Sequence, residues 1–288
     1  MRTWHSRRAS RVRLGIAWVV GVAAWLVATG RDASAQILVQ VNPVKLSLTA
    51  TPERPLKRDV QFTNLGDAAV VVHLRLSDWT LSEDGELSMA PAGSTNESLA
   101  GALSFVPSEF TVAPNQSYWA HLTLRLPAWG SATRWGVLLS QVKSADPRAA
   151  SGPGSSAELG TTIFLSRIPS DEIHTSLGPI NVTRIGGDSI LVTTKVHNNG
   201  ERQANVSADF ALTDSTGARV QAVSISGGVV LPGRARRLEW ICVTAMKPGA
   251  YRITASLDTG SEQPLLSEAR IQWPLAGPSS SVAAQPAK

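Results

Sequence analysis

The chain has 288 residues, of which 27 are Lys or Arg and 22 are Asp or Glu, giving a formal net charge of +5. Six arginines and one aspartate fall within residues 1–35, so the remainder carries 27 − 6 = 21 basic and 22 − 1 = 21 acidic side chains and no net charge. This balance argues against a nucleic-acid-binding protein, whose phosphate-contacting surface needs excess Lys and Arg. The single cysteine excludes an intrachain disulfide.

Residues 1–35 are typical of a secretory signal. Several arginines precede the apolar run Leu14–Thr29, and Ala33-Ser34-Ala35 supplies an A-x-A cleavage site. An uncleaved membrane anchor is the alternative, but a spanning helix needs roughly 17–25 apolar residues and this run is slightly short. We therefore expect cleavage before Gln36, a periplasmic or secreted location, and no stable membrane insertion of the mature chain.

The first half of the mature chain is predicted to form strands. Polar and apolar residues alternate along Lys45–Thr49 and Tyr118–Leu126, which is the period of a half-buried strand. Residues 143–160 are rich in Gly, Ser and Ala and predict a flexible loop between the last two strands of a β-sandwich, the second strand being Thr161–Ser166. We expect this first domain to span residues 36–170.

Within that domain, residues 83–101 are polar and predict either a long surface connection or a short edge hairpin. Of Trp79, Trp119 and Trp135, we expect at least one to pack in the core, where an aromatic side chain buries roughly 150–250 Å². Trp119 is the least secure of the three, because it shares its strand face with His121.

One turn phrase occurs twice. Phe62–Asp67 and Val196–Glu201 both run from apolar residues into Asn-x-Gly and an acidic residue, and a second phrase follows each of them, at Val112–Asn115 and Val230–Gly233. Asn and Gly tolerate the positive φ of tight turns, and Pro presets φ at turn corners. The repetition predicts two copies of one sandwich, with Asn64 and Asn198 at corresponding corners.

The second domain is predicted at residues 173–275, after a hinge at 168–172, and residues 276–288 are predicted to be a disordered tail. Tyr251 follows a Pro-Gly corner, where many immunoglobulin-like domains carry a tyrosine. Cys242 lies in an apolar run and is interpreted as a buried core residue rather than a reactive thiol. The fold class is therefore all-β, with two tandem immunoglobulin-like sandwiches after a cleaved signal.

The mature chain lacks the patterns of an enzyme or a metal protein. Its four histidines, His73, His121, His174 and His197, are scattered, and the first two are expected to face solvent. No nucleophile elbow or phosphate loop is present, and the acidic residues near Asp78 read as a solvated loop rather than a glycosidase pair. We expect no enzymatic activity, no cofactor and no metal site.

Residues 39–126 resemble the N-terminal domain of PapD-like periplasmic pilus chaperones. The similarity lies in Val39–Leu46, Val60–Asp67, Leu76–Trp79 and Phe105–Ser117. The resemblance implies two immunoglobulin-like domains, the first of which lends its last strand to the incomplete fold of a pilus subunit. In that family, a basic pair in the cleft between the domains anchors the C-terminal carboxylate of the subunit.

Lys45 matches the first member of that basic pair. Thr161–Ser166 has no Lys where the second member is expected, and Arg167 is the basic residue that follows. The donor segment, an alternating apolar run in the family, here reads Ser155–Gly160. The resemblance implies a partner-binding set on an available edge strand: Lys45, Thr161, Ile163, Phe164, Leu165 and Arg167.

Two functions remain open from the sequence. The first is a periplasmic chaperone or assembly factor that binds surface or pilus subunits by edge-strand pairing. The second is a structural or adhesive cell-surface module that uses its sandwiches as spacers. The strand at 161–166 distinguishes them, because a chaperone leaves it available and a spacer covers or charges it.

Overall fold

The structure is a computed structural model, and it describes residues 37–128, 130–146, 156–167, 173–243, 245–260 and 263–275. Four predicted segments lie outside the described residues: the signal at 1–35, the middle of the loop at 147–155, the hinge at 168–172 and the tail at 276–288. None of the described segments forms a helix with the length and hydrophobicity needed to cross a bilayer.

The described chain is all-β and forms two sandwiches in tandem. The strands of the first are β1 (Val39–Asn42), β2 (Lys45–Ala50), β3 (Leu56–Asn64), β4 (Val70–Leu81), β5 (Leu87–Pro91), β6 (Leu103–Val106), β7 (Glu109–Val112), β8 (Ser117–Leu124), β9 (Thr133–Ser144) and β10 (Ser156–Arg167). The strands of the second are β11 (Thr175–Leu177), β12 (Asn181–Gly186), β13 (Ser189–Asn198), β14 (Ala204–Asp214), β15 (Arg219–Val230), β16 (Ala235–Val243), β17 (Gly249–Asp258) and β18 (Leu265–Trp273).

In the first sandwich, one sheet has the order β1-β3-β8-β6, and the other has the order β2-β10-β9-β4-β5 with β7 also paired to β4. The chain crosses from one sheet to the other between β1 and β2. Strand β1 pairs antiparallel with β3, whereas β2 pairs parallel with β10. The crossing therefore ties both sheets together at the start of the described chain.

In the second sandwich, β13 pairs with β11 and β12 on one side and with β16 on the other, and the facing sheet has the order β15-β14-β17-β18. Alternating inward residues fill each core, as expected for aligned sheets. Phe62, Leu122 and Ile163 are buried in the first core, and Phe210 and Ile190 in the second.

The repeated phrase forms the same corner in both sandwiches. In the first, Asn64 is fully buried at the end of β3, and its Nδ2 donates to the carbonyls of Ala68 at 2.8 Å and Val112 at 3.1 Å. Its Oδ1 accepts from the backbone N–H of Gly66 at 3.0 Å. The side chain thus holds the β3–β4 turn against the end of β7.

In the second sandwich, Asn198 ends β13 and makes the corresponding bonds. Its Nδ2 donates to the carbonyls of Arg202 at 2.6 Å and Val230 at 2.9 Å, and its Oδ1 accepts from the N–H of Gly200 at 3.0 Å. In both sandwiches the bonds reach the residue two positions later, the residue four positions later and the first residue of the second phrase. The prediction that both asparagines occupy turns at corresponding corners is confirmed.

The second phrase also repeats. The turn residues Asn115 and Gly233 have φ of 56° and 66°, in the left-handed region that the sequence predicts. The backbone N–H of each buried asparagine donates to the carbonyl of the residue after that turn, Gln116 or Arg234, at 2.9 Å in both cases. Strands β8 and β16, which begin immediately afterwards, are therefore counterparts.

Three other local predictions are confirmed. The hydroxyl of Tyr251 donates to the carbonyl of Lys247 at 2.9 Å, which is the bond of a tyrosine corner. Cys242 is fully buried, and burial raises the pKa of its thiol to about 11. His73 and His121 are exposed and contact the cross-strand carboxylates Glu109 and Asp59.

The loop predicted at 143–160 is longer than the segment that separates β9 from β10 in the structure. Strand β9 continues to Ser144 and β10 begins at Ser156, so both ends of that segment belong to the sheet. Ala157 and Leu159 pack against the first core, which makes the early part of β10 a half-buried strand despite its Ser and Gly content. At residues 83–101, the hairpin alternative is the correct one, since β5 pairs with β4.

Candidate functional site

Strand β10 has two halves with different surroundings. It pairs with β9 along Ser156–Ser166, but with β2 only from Thr162 onward, where the Thr162 N–H donates to the Val44 carbonyl at 2.9 Å. The prediction that 161–166 is a free edge is therefore wrong, because β2 covers it. No described strand pairs with residues 156–160 on the side opposite β9.

The open half of β10, residues 156–160, presents backbone groups to solvent on that side. Because alternate residues of a strand direct their N–H and C=O groups to the same side, Glu158 and Gly160 face the same way as Thr162. The Glu158 side chain lies on the outer face of the sheet, where it forms a 2.6 Å ion pair with Arg75 on β4. Such a row of unpaired groups is a template for another strand.

Four predicted partner-binding side chains are buried within the chain itself. The Thr161 hydroxyl donates to the Pro43 carbonyl at 3.0 Å, and Ile163 and Leu165 are fully buried in the first core. Phe164 is buried on the opposite face, in a cluster that includes residues of the second sandwich. None of the four side chains is exposed to a partner, because all four pack within this chain.

Lys45 is exposed and lies at the junction of the two sandwiches. Its Nζ donates to Oδ1 of Asn205, at the start of β14, at 3.1 Å, and lies 5.4 Å from the centre of the Phe164 ring. The ring face attracts the ammonium group and helps to fix its position. Strand β2 begins at Lys45, opposite Thr162, so its backbone adjoins the end of the open half of β10, while the Lys45 ammonium group lies toward Phe164 and Asn205.

Arg167 lies elsewhere. In the parallel register, Lys45 is opposite Thr162 and Arg167 is opposite Ala50, so the two cations are separated by 167 − 162 = 5 strand positions, or roughly 16 Å. The Arg167 guanidinium donates to the carbonyls of Ala128 and Pro127 at 3.3 and 3.2 Å. The structure therefore does not bring the two cations together, because Arg167 contacts these carbonyls whereas Lys45 contacts Asn205.

A buried apolar cluster joins the two sandwiches. Trp79, Trp135 and Phe164 come from the first sandwich and Leu231 from the second, and all four side chains are at most 7% exposed. The rings of Trp79 and Phe164 meet edge to face at 5.8 Å, and Trp135 Nε1 donates to the Trp79 carbonyl at 3.0 Å. Two of the three tryptophans are thus buried, but at the junction rather than in the first core, and Trp119 is 48% exposed.

The turn at residues 82–86, between β4 and β5, makes a second contact between the sandwiches. Glu83 forms a 2.7 Å ion pair with Lys195, and Arg237 contacts Asp84 at 3.2 Å. The Arg237 backbone N–H donates to the Glu83 carbonyl at 2.7 Å. The hydrogen bond from Lys195 and its charge, with a contribution from Arg237, lower the pKa of Glu83.

The sequence pattern did not reveal this contact. An acidic turn that binds a neighbouring domain has the same composition as a solvated loop, and its basic partners lie more than a hundred residues later in the chain. Among the described residues, no group of three or more His, Cys, Asp or Glu side chains could hold a metal ion. The chemistry available at the junction is therefore strand pairing and cation–carboxylate contact.

No family model matches the sequence, and no curated protein matches it. Three solved structures illustrate what the chain is similar to. The chain of a CFA/I fimbriae chaperone–tip adhesin complex is 14% identical, with 83% of this chain and 100% of that chain covered and a TM-score of 0.45. The class 5 fimbriae chaperone CfaA is 14% identical over 80% and 97%, with a TM-score of 0.46. The Pseudomonas aeruginosa CupB2 chaperone is 14% identical over 82% and 100%, with a TM-score of 0.41.

All three structures are described as chaperones or as a complex of one, and two of them are fimbrial. Their low identity and low TM-scores mean that none of their binding properties is transferred to this chain. A functional proposal for this chain rests on the open half of β10 and on Lys45.

Proposed function

We propose that the chain is an exported, non-enzymatic protein-binding protein that acts as a chaperone or assembly factor for surface or pilus subunits. It pairs an extended segment of its client with the open half of β10. The observation that carries the proposal is the change in pairing along β10, which has a strand on both sides from Thr162 but, within the part of the chain that the structure describes, on one side only at 156–160. Backbone hydrogen bonds give such an added strand its affinity.

The residues of the open half suit a strand that approaches closely. Ser156 and Gly160 have little or no side chain on the outer face, so a client backbone can lie alongside without steric conflict. Few exposed apolar side chains line this edge, and the client therefore gains affinity mainly from backbone bonds. Ala157 and Leu159 face inward and keep the edge in register by packing on the first core.

Lys45 supplies the charged contact of the proposed site. Its ammonium group carries three donors and reaches Asn205 with one of them, so a client carboxylate at the junction gains a charge-assisted hydrogen bond. Such a bond is worth about 1.5–3 kcal/mol. We expect Lys45→Ala to weaken client binding by about tenfold or more, and Arg167→Ala to leave it unchanged.

The pairing is tested with two variants at one position. Glu158→Pro removes the N–H that faces the open side, along with the side chain and its ion pair to Arg75. Glu158→Ala removes the same side chain and ion pair but keeps the N–H. A photo-crosslinking residue at exposed Ser156 then reports which envelope proteins bind in each variant.

We expect discrete crosslinked adducts in the parent and in Glu158→Ala, and their loss in Glu158→Pro. Circular dichroism and urea unfolding of purified protein establish that the proline variant is folded. Equal adducts in all three proteins, with both variants folded, would show that the β10 edge does not bind clients.

A structural or adhesive module is the second candidate, and the contacts between the sandwiches favour it. The buried cluster around Trp135 and the ion pairs of the 82–86 turn restrict relative motion, which is what a rigid spacer requires. Strand β2 also covers most of the predicted edge. A spacer predicts no specific adduct at Ser156, so the crosslinking experiment distinguishes the two functions.

A further inference from the structure

The internal repeat reveals a strand edge that is covered in one sandwich and open in the other. Strands β8 and β16 are counterparts, because each follows the same turn, with Gln116 in the position of Arg234. The offset is 234 − 116 = 118, so His121–Leu124 of β8 correspond to Glu239–Cys242 of β16. Strand β6 pairs with β8 over exactly the first of these segments, from Val106 opposite His121 to Leu103 opposite Leu124.

Among the described strands of the second sandwich, none is equivalent to β6. Strand β16 pairs with β13 along its whole length, and no other described strand pairs with it. The Arg237 N–H points away from β13 to the Glu83 carbonyl, so the N–H groups of Glu239, Ile241 and Val243 point the same way. Residues 239–243 therefore form an open edge, which we term the β16 edge.

The side chains along the β16 edge are unusual for an unpaired strand. Ile241 is 58% exposed and Val243 is 64% exposed, both on the outer face of the sheet. Natural edge strands are usually blunted by charge, Pro or a bulge, but here Glu239 is the only charged residue within 239–243 and Pro is absent. An edge with this pattern matches a partner strand that is itself apolar on alternate residues.

The interface between the sandwiches uses the part of β16 that immediately precedes this edge. The 82–86 turn takes the Arg237 N–H, and it is acidic: besides Glu83 and Asp84 it carries Glu86, whose carboxylate makes no ion pair within the described part of the chain. A strand added along 239–243 lies in line with this turn, and the end of it that is opposite Glu239 is next to the acidic side chains of the turn.

We propose that the β16 edge pairs with the β16 edge of a second copy of this chain, antiparallel and about a two-fold axis. Centring the axis on Ile241 places Ile241 opposite its own equivalent and Glu239 opposite Val243. In this register Val243 lies opposite Glu239 of the other copy, two positions from the Arg237 whose N–H that copy's acidic turn accepts, and the exposed Lys247 follows four residues later in the chain. The Ile241 pair lies on the axis and occurs once, whereas the charge contact occurs twice, as a closed two-fold interface requires.

This pairing is separate from the β10 edge. It uses the other sandwich, needs no client, and leaves Lys45 and residues 156–160 open. A dimer through β16 presents two β10 edges to clients, whereas failure of dimerisation leaves the function proposed for β10 intact. The two proposals can therefore fail independently.

The oligomeric state of the mature, exported protein gives the first test. We expect light scattering after size exclusion to give the mass of two copies for the parent protein. In Ile241→Lys, two ammonium groups face each other across the axis, and the dimer dissociation constant rises by about tenfold or more. Leu266→Lys is the matched control, because Leu266 is 60% exposed on β18, in the other sheet, and this variant remains dimeric.

Crosslinking gives a second test that does not depend on the tolerance of a lysine. Ile241→Cys puts the two thiols directly opposite each other at the axis, within the Cα separation that a disulfide allows. The native Cys242 does not compete, because it is buried with a raised pKa. We expect a covalent dimer on mild oxidation in Ile241→Cys and none in Leu266→Cys. A parent protein that is monomeric at all concentrations, or equal crosslinking in both cysteine variants, overturns the proposal.

Discussion

At the scale of single residues, two buried asparagines fix the same corner in both sandwiches. Each is itself buried and hydrogen-bonds two backbone carbonyls and one backbone N–H. An unpaired buried polar group costs about 1–3 kcal/mol, so the amide side chain is strongly preferred at both corners. This is why the phrase could be recognised in the sequence twice.

We expect Asn198→Ala to lower the free energy of unfolding by roughly 2–4 kcal/mol, because three hydrogen bonds are lost in a buried site. Urea denaturation followed by fluorescence measures the loss. The neighbouring Asn199 is the matched control, since it is exposed and its side chain makes a single 3.0 Å bond to Ser176. Similar losses for Asn198→Ala and Asn199→Ala would contradict the role of the corner.

At the scale of strands and turns, the 82–86 turn links the sandwiches through charge. The pKa of Glu83 is lowered in the folded protein, so its ionised form contributes stability above the unfolded pKa, which is about 4.3. That contribution is lost as pH falls through the lowered folded value. The sign follows because the unfolded state binds the proton more readily than the folded state does.

Glu83→Gln should therefore destabilise the protein at neutral pH and have a smaller effect at pH of about 3. Urea unfolding of parent and variant at both pH values measures the difference. Glu86→Gln serves as the control, because Glu86 lies in the same turn without an ion pair in the described structure. An effect of Glu83→Gln that stays constant with pH would rule out the ion pair as its cause.

The turns were predictable from the sequence and the strand edges were not, for a physical reason. A turn depends on a few adjacent residues, such as Asn64 and Gly66, whose conformational preferences are local. The pairing of β2 with β10 joins residues 45 and 162, and nothing in the alternation of Lys45–Thr49 specifies that partner. The sequence therefore favours an available edge at 161–166, although Val44 and Lys45 meet it.

Side-chain burial at the junction was equally hidden. Phe164 lies on the opposite face of β10 from Ile163 and Leu165, and a run of three apolar residues fits a strand that is buried on both faces. What covers the second face cannot be read from the strand itself. Here the second face is covered by a cluster with Trp135 and Leu231. Phe164, which the sequence places on an exposed binding strand, therefore helps to join the two sandwiches.

At the scale of the whole molecule, that cluster couples the stabilities of the two sandwiches. Leu231 is 1% exposed and belongs to the second sandwich, but its contacts in the cluster come largely from the first. We expect Leu231→Ala to cost roughly 2–5 kcal/mol, as for other buried leucines, and to split one calorimetric transition into two. Leu266→Ala, at an exposed site, changes stability by about 0.5 kcal/mol or less. A single unchanged transition in Leu231→Ala would show that the coupling of the two sandwiches does not depend on the cluster.

The crossing of β1 and β2 between sheets sets an order of assembly. Strand β1 can pair with β3 early, but β2 has no neighbour until β10 is available, 162 − 45 = 117 residues later in register. While a chain that folds from its N-terminus forms β3–β9, the second sheet of the first sandwich therefore lacks β2, and Leu46 and Leu48 are not yet packed. The first sandwich is complete only when β10, which ends at Arg167, becomes available to pair with β2. The rate at which the chain becomes available therefore sets how long the edge of β9 can pair with an incorrect strand.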